Sequence, residues 1–298
     1  MMGTIGAGAE CGEAGRSLGV VVTGGTSGLG LAMAREFLLA GDRVVVCGRD
    51  PGRLDTAMRR LEAQVPGCAL YGTRCDVSVP GDAAALAAFA EANLGVVDRW
   101  INNAGTAGRL KRPIWELDPA DIDEVCRTNL SGSMMLSAEA VRIMCGQSSG
   151  PDYPSYHIYN MGFSAGGARS SPTAVPHRAS KLAVAITTDF VRQELQRAGI
   201  GFIRVHELSP GLVLTDLLLR DSGSQERRIF NAIAETPETV AAVLVPRIRS
   251  ANGGGDTLRF RPIPQMVARA LASFFGYGRG RFFDDNGEMV EQGNRISP

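Results

Sequence analysis

A glycine-rich turn at residues 23–30 is the first place where residue types and spacing could do chemistry. It reads Thr-Gly-Gly-Thr-Ser-Gly-Leu-Gly, directly after a short apolar run and directly before a segment with helical periodicity. Gly24 permits the turn, Gly28 lets the backbone approach a pyrophosphate, and Gly30 allows close contact between helix and strand. A helix N-terminus adds free N–H groups and a favourable dipole. The turn predicts a dinucleotide site formed by Thr23, Gly24, Thr26, Ser27, Gly28, Leu29 and Gly30, and the alternative is a tight turn without a ligand.

Charged residues follow the next two predicted strands. Arg49 ends the second strand, where an acidic residue would bind a ribose 2′-hydroxyl and an arginine accommodates a 2′-phosphate. Arg49 therefore favours NADPH over NADH, and a solvated charge pair with Asp50 is the alternative. Asp76 and Val77 close the third strand, where the carboxylate could accept a hydrogen bond from the adenine amino group or cap the strand.

The fourth predicted strand ends in a run of small and amide side chains. Its sequence is Asn102-Asn103-Ala104-Gly105. Small residues admit the backbone against a cofactor, and the amides can brace the sheet. We expect Asn103, Ala104 and Gly105 to contact the nucleotide, and an unrelated turn is the alternative.

Short apolar runs alternate with helical segments over the first two thirds of the chain. Predicted strands lie at 18–23, 43–48, 69–75, 97–102, 156–161 and 200–208, and predicted helices at 28–40, 53–65, 80–94, 118–144 and 173–198. This alternation predicts an α/β fold, a Rossmann-type doubly wound parallel sheet. The strands are continuously apolar, so helices should cover both faces. Ligands of such sheets bind beyond the carboxyl ends of the strands, where the segments above fall.

The chain is predicted to form a flexible leader at 1–17 and one domain at 18–298. Residues 211–298 are the expected substrate side, with a leucine cluster, a helix at 236–250, a strand at 256–260 and an apolar helix at 264–275. Segments 212–219 and 266–275 are candidate pocket walls. The leader lacks the Arg/Ser-rich, acid-poor character of a transit peptide.

Composition excludes several classes of function. The chain has 31 basic and 31 acidic residues, and this zero net charge argues against nucleic acid as a partner. The six cysteines form no CxxC pair, so we expect free thiols and no metal site. Apolar runs are shorter than the ~20 residues that span a bilayer.

The glycine turn, the aspartate after the third strand and the Asn-Asn-Ala-Gly run occur in a characteristic order. In that order the chain resembles the short-chain dehydrogenase/reductase family over residues 18–220. The resemblance implies a nicotinamide cofactor and a catalytic set of Asn, Ser, Tyr and Lys. It assigns Asn129, Ser164 and Lys181 to three of these roles, with Lys181 also holding the cofactor ribose. It further assigns Pro210, Gly211, Val213 and Thr215 to the segment that holds the nicotinamide carboxamide.

One position departs from the family pattern. The family's tyrosine, four residues before the lysine, is His177 in this chain. Imidazole can do acid–base work near neutral pH, but the Lys181 ammonium favours the neutral ring, which is a poor acid. His177 is therefore a substitute acid, a replacement that weakens activity, or a bystander. His157 and His206 are expected in or beside the sheet.

Segments outside these motifs carry a narrower resemblance. Residues 34–46, 100–106, 160–161, 215–219, 237–240, 245–249 and 281–285 are similar to the non-yellow-coloring type of chlorophyll(ide) b reductase. The similarity implies NAD(P)H-dependent reduction of the 7-formyl group of chlorophyll b or chlorophyllide b to a hydroxymethyl group. It also implies a place in the chloroplast on the stromal side of the thylakoid membrane.

The narrower resemblance leaves partners and alternatives open. Peripheral membrane contact is expected at Phe274 and Phe275. We also expect the chain to associate with itself or with a related reductase, through the helices after the fourth and fifth strands. Two other functions remain. One is a cofactor- or pigment-binding partner with little turnover, which His177 motivates, and the other is reduction of a different carbonyl substrate.

Overall fold

A seven-stranded parallel sheet forms the centre of the protein and confirms the predicted doubly wound fold. The computed structural model describes residues 15–147, 156–163, 165–171, 173–220, 222–253, 257–273 and 276–290. The strands are β1 (Gly19–Thr23), β2 (Arg43–Gly48), β3 (Leu70–Arg74), β4 (Arg99–Asn102), β5 (Tyr156–Met161), β6 (Ile203–Ser209) and β7 (Thr257–Arg259). Their order is β3-β2-β1-β4-β5-β6-β7. The order reverses between β1 and β4, and this switch point is where such sheets bind ligands.

Helices connect the strands and cover the sheet. They are α1 (Gly28–Leu39), α2 (Pro51–Gln64), α3 (Pro80–Leu94), α4 (Pro119–Cys126), α5 (Gly132–Gly146), α6 (Ala165–Ser170), α7 (Val175–Arg197), α8 (Asp216–Leu219), α9 (Ser224–Ile233), α10 (Pro237–Arg249) and α11 (Ile263–Ser273). A 3-10 turn lies at Ile114–Glu116 and a π-helical turn at Arg127–Ser131. Over the described residues, none of these helices is both long and apolar enough to span a bilayer.

Two apolar layers sandwich the sheet. Val20 and Val22 of β1 pack on one face with α1, α2 and α10, while Val21 packs on the other with α3, α5 and α7. Alternate residues of a strand point to opposite faces, so both sides of β1 are buried. The layers fix the strands so that their carboxyl ends form one edge.

A third apolar cluster belongs to the C-terminal part of the chain. Leu218, Phe230, Ala234, Phe282 and Phe283 are its buried members. It gathers α8, α9 and residues 282–283 beside the carboxyl edge of the sheet. The predicted helix at 118–144 is interrupted at its centre, where Asn129 lies in the π-helical turn between α4 and α5.

Two histidines expected in the sheet lie there. His157 of β5 and His206 of β6 are buried, and His157 Nδ1 lies 2.8 Å from His206 Nε2. Cys47, Cys68, Cys75, Cys126 and Cys145 are free thiols. Residues 1–14 of the predicted leader and the proposed contact at Phe274 and Phe275 lie outside the described residues.

Candidate active site

A cleft of about 1080 Å³ opens along the carboxyl ends of the strands. It gathers eighteen residues predicted for the site: Gly24, Thr26, Ser27, Gly28, Leu29, Gly30, Arg49, Asp76, Val77, Asn103, Ala104, Gly105, His177, Lys181, Pro210, Gly211, Val213 and Thr215. Two more, Thr23 and Asn129, are fully buried behind its wall. Ser164 lies outside the described residues.

The glycine turn fits a pyrophosphate. Gly28 has φ 53°, and a Cβ there would lie 2.9 Å from Thr215 Cγ2, so a side chain would close the cleft at this point. A Cβ on Gly30 would collide with the carbonyl oxygen of Gly24. Ser27 precedes α1 without capping it through its side chain. The first N–H groups of α1 therefore remain available to an anion in the cleft.

Thr23 and Asn103 hold the cradle in shape. Thr23 Oγ1 accepts hydrogen bonds from the N–H groups of Asn103 (3.1 Å) and Ala104 (3.0 Å). Asn103 Nδ2 donates to the carbonyl oxygens of Thr23 (2.9 Å) and Gly24 (3.3 Å). These bonds tie the end of β1 to the end of β4. Thr23, predicted to bind the cofactor, therefore braces the turn from behind.

The second and third strands end at the far side of the cleft. Arg49 Nη1 lies 2.9 Å from Glu124 Oε1, and the side chain is 63% exposed. Asp76 Oδ1 accepts from the N–H (3.0 Å) and hydroxyl (2.7 Å) of Ser78. Partial burial alone would raise the pKa of Asp76, but the Ser78 hydrogen bonds and nearby Arg49 hold it below its ordinary value. Asp76 is therefore an ionised acceptor at this end.

Asn129 organises the opposite end without reaching the cleft. Its Oδ1 accepts from the N–H of Thr106 (2.8 Å), and its Nδ2 donates to the carbonyl oxygen of Thr106 (2.9 Å) and to Ser180 Oγ (3.0 Å). The carboxamide joins the loop after β4 to helix α7. The side chain is buried and its amide is already bonded, so in this structure Asn129 positions the loop and α7, and the catalytic role that the resemblance assigns to it stays a prediction.

Helix α7 presents His177 and Lys181 to the cleft one turn apart. Pro176 lies in the first turn of α7, where a missing N–H costs nothing. Lys181 Nζ donates to the carbonyl oxygen of Met161 (3.0 Å). Burial lowers the pKa of Lys181 to about 8, so at neutral pH the ammonium still predominates. A cation therefore stands at the floor of the cleft.

The imidazole of His177 is held on two sides. Its Nδ1 lies 2.9 Å from Thr173 Oγ1, and its ring meets the Phe163 ring edge to face at 5.4 Å between centroids. Burial first, and then the Lys181 charge, lower the pKa of His177 to about 3. At pH 7 the ring is therefore neutral. His177 is a neutral hydrogen-bonding group.

An apolar wall lies opposite the glycine turn. Leu212, Leu214, Leu217 and Leu218 line the cleft here, as expected for segment 212–219. The wall is fixed from behind by Glu235, whose N–H donates to the carbonyl oxygen of Leu212 (3.0 Å) and whose own carbonyl oxygen accepts from the N–H of Leu214 (2.8 Å). A macrocyclic or lipid-like substrate requires an apolar surface of this kind.

The Glu235 side chain joins three later segments to that wall. Its carboxylate, 2% exposed, pairs with Arg261, Arg269 (3.0 Å) and Arg281. Burial alone would raise its pKa, but the arginines, Arg281 foremost, lower it. We call this buried carboxylate and its three arginines the Glu235 clamp. The clamp attaches α11 and residues 281–283 to the cleft.

Sequence reasoning missed Ser171, Thr173, Phe163 and the Glu235 clamp. Hydroxyl residues one turn before a helical histidine are a local signal that could have pointed to Thr173. Glu235 gave no local signal, since its arginines lie 26 to 46 residues further along the chain.

The fold and the cleft define a dinucleotide-binding α/β protein with a polar pair, His177 and Lys181, facing an apolar wall. A profile described as short chain dehydrogenase matches residues 19–225. The chain belongs to this family, as its motifs predicted, and the family points to an oxidoreductase with a nicotinamide cofactor.

Two plant relatives support the resemblance to chlorophyll(ide) b reductases. The chain is 37% identical over 286 residues to the probable chlorophyll(ide) b reductase NYC1, chloroplastic, of Oryza sativa subsp. japonica, covering 91% of this chain and 55% of that protein. It is 38% identical over 238 residues to the chlorophyll(ide) b reductase NOL, chloroplastic, of Arabidopsis thaliana, covering 80% of this chain and 67% of that protein. The chain thus spans about half the length of NYC1. The predicted resemblance to this group is confirmed.

A solved structure shares the fold. It is a tryptophan variant of actinorhodin polyketide ketoreductase, crystallised with NADPH, with a TM-score of 0.67 and 28% sequence identity. The match covers 82% of this chain and 95% of that chain.

Proposed function

We propose that the protein reduces the 7-formyl group of chlorophyll b or chlorophyllide b to a hydroxymethyl group, giving 7-hydroxymethyl chlorophyll(ide) a. The observation that carries this proposal is the cleft itself, where a dinucleotide cradle, the His177–Lys181 pair and the apolar wall at 212–218 converge. The chlorophyll(ide) b reductase names of the relatives support the choice of substrate.

The residues of the cleft divide the tasks of this reaction among them. The bound nicotinamide supplies hydride to the aldehyde carbon. His177 donates a hydrogen bond to the aldehyde oxygen, on which negative charge grows. Lys181 holds the cofactor ribose and keeps a positive field beside that oxygen. Ser164 is the proposed second donor, and Asn129 keeps α7 in position.

NADPH is the proposed cofactor, with NADH as the alternative. A guanidinium suits a 2′-phosphate because it donates several N–H groups in one plane. Arg49 lines the cleft beyond the glycine turn, and its mostly exposed side chain can reach a ligand. When the cofactor binds, the Arg49 guanidinium would either contact Glu124 and the 2′-phosphate together or leave Glu124.

The proposed location is the stromal side of the chloroplast thylakoid membrane, with peripheral contact. Leu110, Ile114 and Trp115 form an exposed apolar loop, and Trp115 is 82% exposed. Lys111 in the same loop bonds the carbonyl oxygen of Leu218 in the cleft wall (3.4 Å). Contact through this loop would place the cleft beside a membrane-dissolved pigment. Self-association, or pairing with a related reductase, is part of the proposal.

The membrane contact is tested by sedimentation with anionic vesicles. Trp115→Ser should lower the bound fraction, because interfacial tryptophan is lost. Leu39→Ser is the matched control, since Leu39 is 51% exposed at the end of α1, on the opposite edge of the sheet. Equal binding by both variants and the parent would contradict contact through this loop.

One assay distinguishes the proposed function from the two alternatives, which are reduction of another carbonyl substrate and a binding partner with little turnover. The purified protein is incubated with NADPH and chlorophyllide b, chlorophyll b or simple ketones, and products are identified by chromatography and absorbance. The proposal predicts 7-hydroxymethyl pigment carrying one deuterium when the cofactor is deuterated at its transferable position. Preference for ketones would favour another carbonyl substrate. Binding without product would favour the low-turnover partner that His177 motivates.

A further inference from the structure

Hydrogen bonds between side chains connect Ser171, Thr173 and His177 in series at the wall of the cleft. Ser171 Oγ lies 2.9 Å from Thr173 Oγ1, which in turn lies 2.9 Å from His177 Nδ1. All three residues line the cleft. Thr173 and His177 are buried, while Ser171 is half-buried. The series connects a hydroxyl that water can reach with a buried imidazole.

Both hydroxyls can donate or accept, and only one direction of these bonds would leave a proton on Nε2 of His177. The N–H of Thr173 donates to Ser171 Oγ (3.4 Å), and the Ser171 hydrogen can still point to Thr173 Oγ1. In that direction the Thr173 hydroxyl donates to Nδ1 of His177, and the ring proton resides on Nε2. If the hydrogen bonds ran in the opposite direction, Nε2 would carry no proton and could not donate to a substrate oxygen.

A neutral imidazole needs such a partner to deliver a proton. The imidazolium form is scarce at neutral pH, because burial and the Lys181 charge lower the pKa of His177. A neutral ring can still pass a proton on when Nδ1 gains one as Nε2 gives one away. Hydrogen bonds in series assist each other in this process.

We propose that Ser171, Thr173 and His177 form a proton relay to the substrate oxygen, an inference that rests on the proposed reductase function. The Nε2–H bond breaks as its proton passes to the oxygen that hydride addition has made anionic. Thr173 gives its hydroxyl proton to Nδ1, takes that of Ser171, and Ser171 regains one from water, which leaves hydroxide to the bulk solvent. The sum is one solvent proton added to the oxygen, with no change in charge on the chain. His177 is the catalytic residue, and Thr173 and Ser171 act through it.

The test compares two substitutions of Thr173. Thr173→Val keeps the shape and removes the hydroxyl, so kcat should fall about 100-fold while KM for NADPH stays unchanged. Thr173→Ser keeps the hydroxyl and should restore most of kcat. The matched control is Thr188→Val, a buried threonine of α7 that bonds Val184 and Asn160 outside the cleft. It should retain kcat, so a loss confined to Thr173→Val separates the relay from general damage.

Nitrogen NMR of the imidazole provides a readout that needs no substrate. With ¹⁵N-labelled histidine, the parent should show the His177 proton on Nε2, and Thr173→Val should shift the tautomer populations. A proton on Nδ1 in the parent, or full kcat in Thr173→Val, would overturn the relay even when the pigment is reduced. A parent that reduces another aldehyde but not the pigment, still dependent on Thr173, would overturn the substrate and support the relay. A parent that reduces no carbonyl overturns both.

Discussion

His177 stands one helical turn before Lys181, and its chemistry follows from its surroundings rather than from its residue type. A solvent-exposed imidazole titrates near neutral pH, but this ring is buried beside a cation and stays neutral. It can accept from Thr173 and donate into the cleft at once. Neutral histidine is therefore compatible with carbonyl reduction, provided that a proton reaches it from outside.

Burial of neutral histidines predicts loss of stability in acid. Burial foremost lowers the pKa of His157 to about 2 and that of His177 to about 3. Each ring binds a proton more readily when unfolded, so the free energy of unfolding is highest above pH 6.5 and falls as the pH drops below it. Each contributes a slope of about 1.4 kcal/mol per pH unit.

Urea unfolding between pH 7 and pH 5 measures this slope. His157→Phe should be less stable or equally stable at pH 7 but should show a shallower slope, because one titrating ring is gone. A slope identical to that of the parent would contradict the assignment of His157 as a buried neutral ring.

Arg49 predicts the cofactor preference. Arg49→Ala should reduce the preference for NADPH over NADH in kcat/KM by about tenfold, since one charge-assisted contact to the 2′-phosphate is lost. Glu124→Gln should raise the preference, because it releases Arg49 from its present partner at 2.9 Å. Equal KM values for the two cofactors, unchanged in Arg49→Ala, would show that another group selects the nucleotide.

At the scale of elements, the substrate side depends on the Glu235 clamp. The residues that meet there come from segment 212–214, from Arg261 just before α11, from α11 itself and from the chain after it. One buried carboxylate facing three guanidinium groups therefore carries much of their attachment.

Glu235→Gln should lower the free energy of unfolding by about 2–3 kcal/mol, because it leaves three half-buried guanidinium groups without a counter-charge. It should also raise KM for the pigment more than KM for NADPH, since Glu235 holds the Leu212–Leu214 wall and does not contact the glycine turn. The control is Asp285→Asn, which breaks the exposed Arg279–Asp285 pair in the same region and should change little. Parallel changes in both KM values would contradict a local role.

At the scale of the whole molecule, local sequence patterns predicted the sheet and most of the cleft. The apolar strands and helical periods placed all seven strands within a few residues, and the glycine turn and the ends of β2 to β4 met at one edge as expected. These features are local, or follow from parallel strands sharing a carboxyl edge.

Features that depend on distant contacts could not be read in this way. Asn129 looked like a catalytic amide, yet the loop at Thr106 and Ser180 of α7 consume its hydrogen bonds. The break in the helix at 118–144 and the role of Glu235 likewise depend on residues far along the chain. Periodicity carries no information about such partners.

The most direct test of the whole account is turnover of chlorophyllide b with NADPH by the parent, His177→Ala and His177→Tyr, measured side by side. We expect measurable formation of the 7-hydroxymethyl product by the parent and a loss of about 100-fold in His177→Ala, with cofactor binding retained. Near-zero turnover by the parent together with a large gain in His177→Tyr would contradict the proposed reductase function, and would show that the imidazole prevents turnover in this cleft.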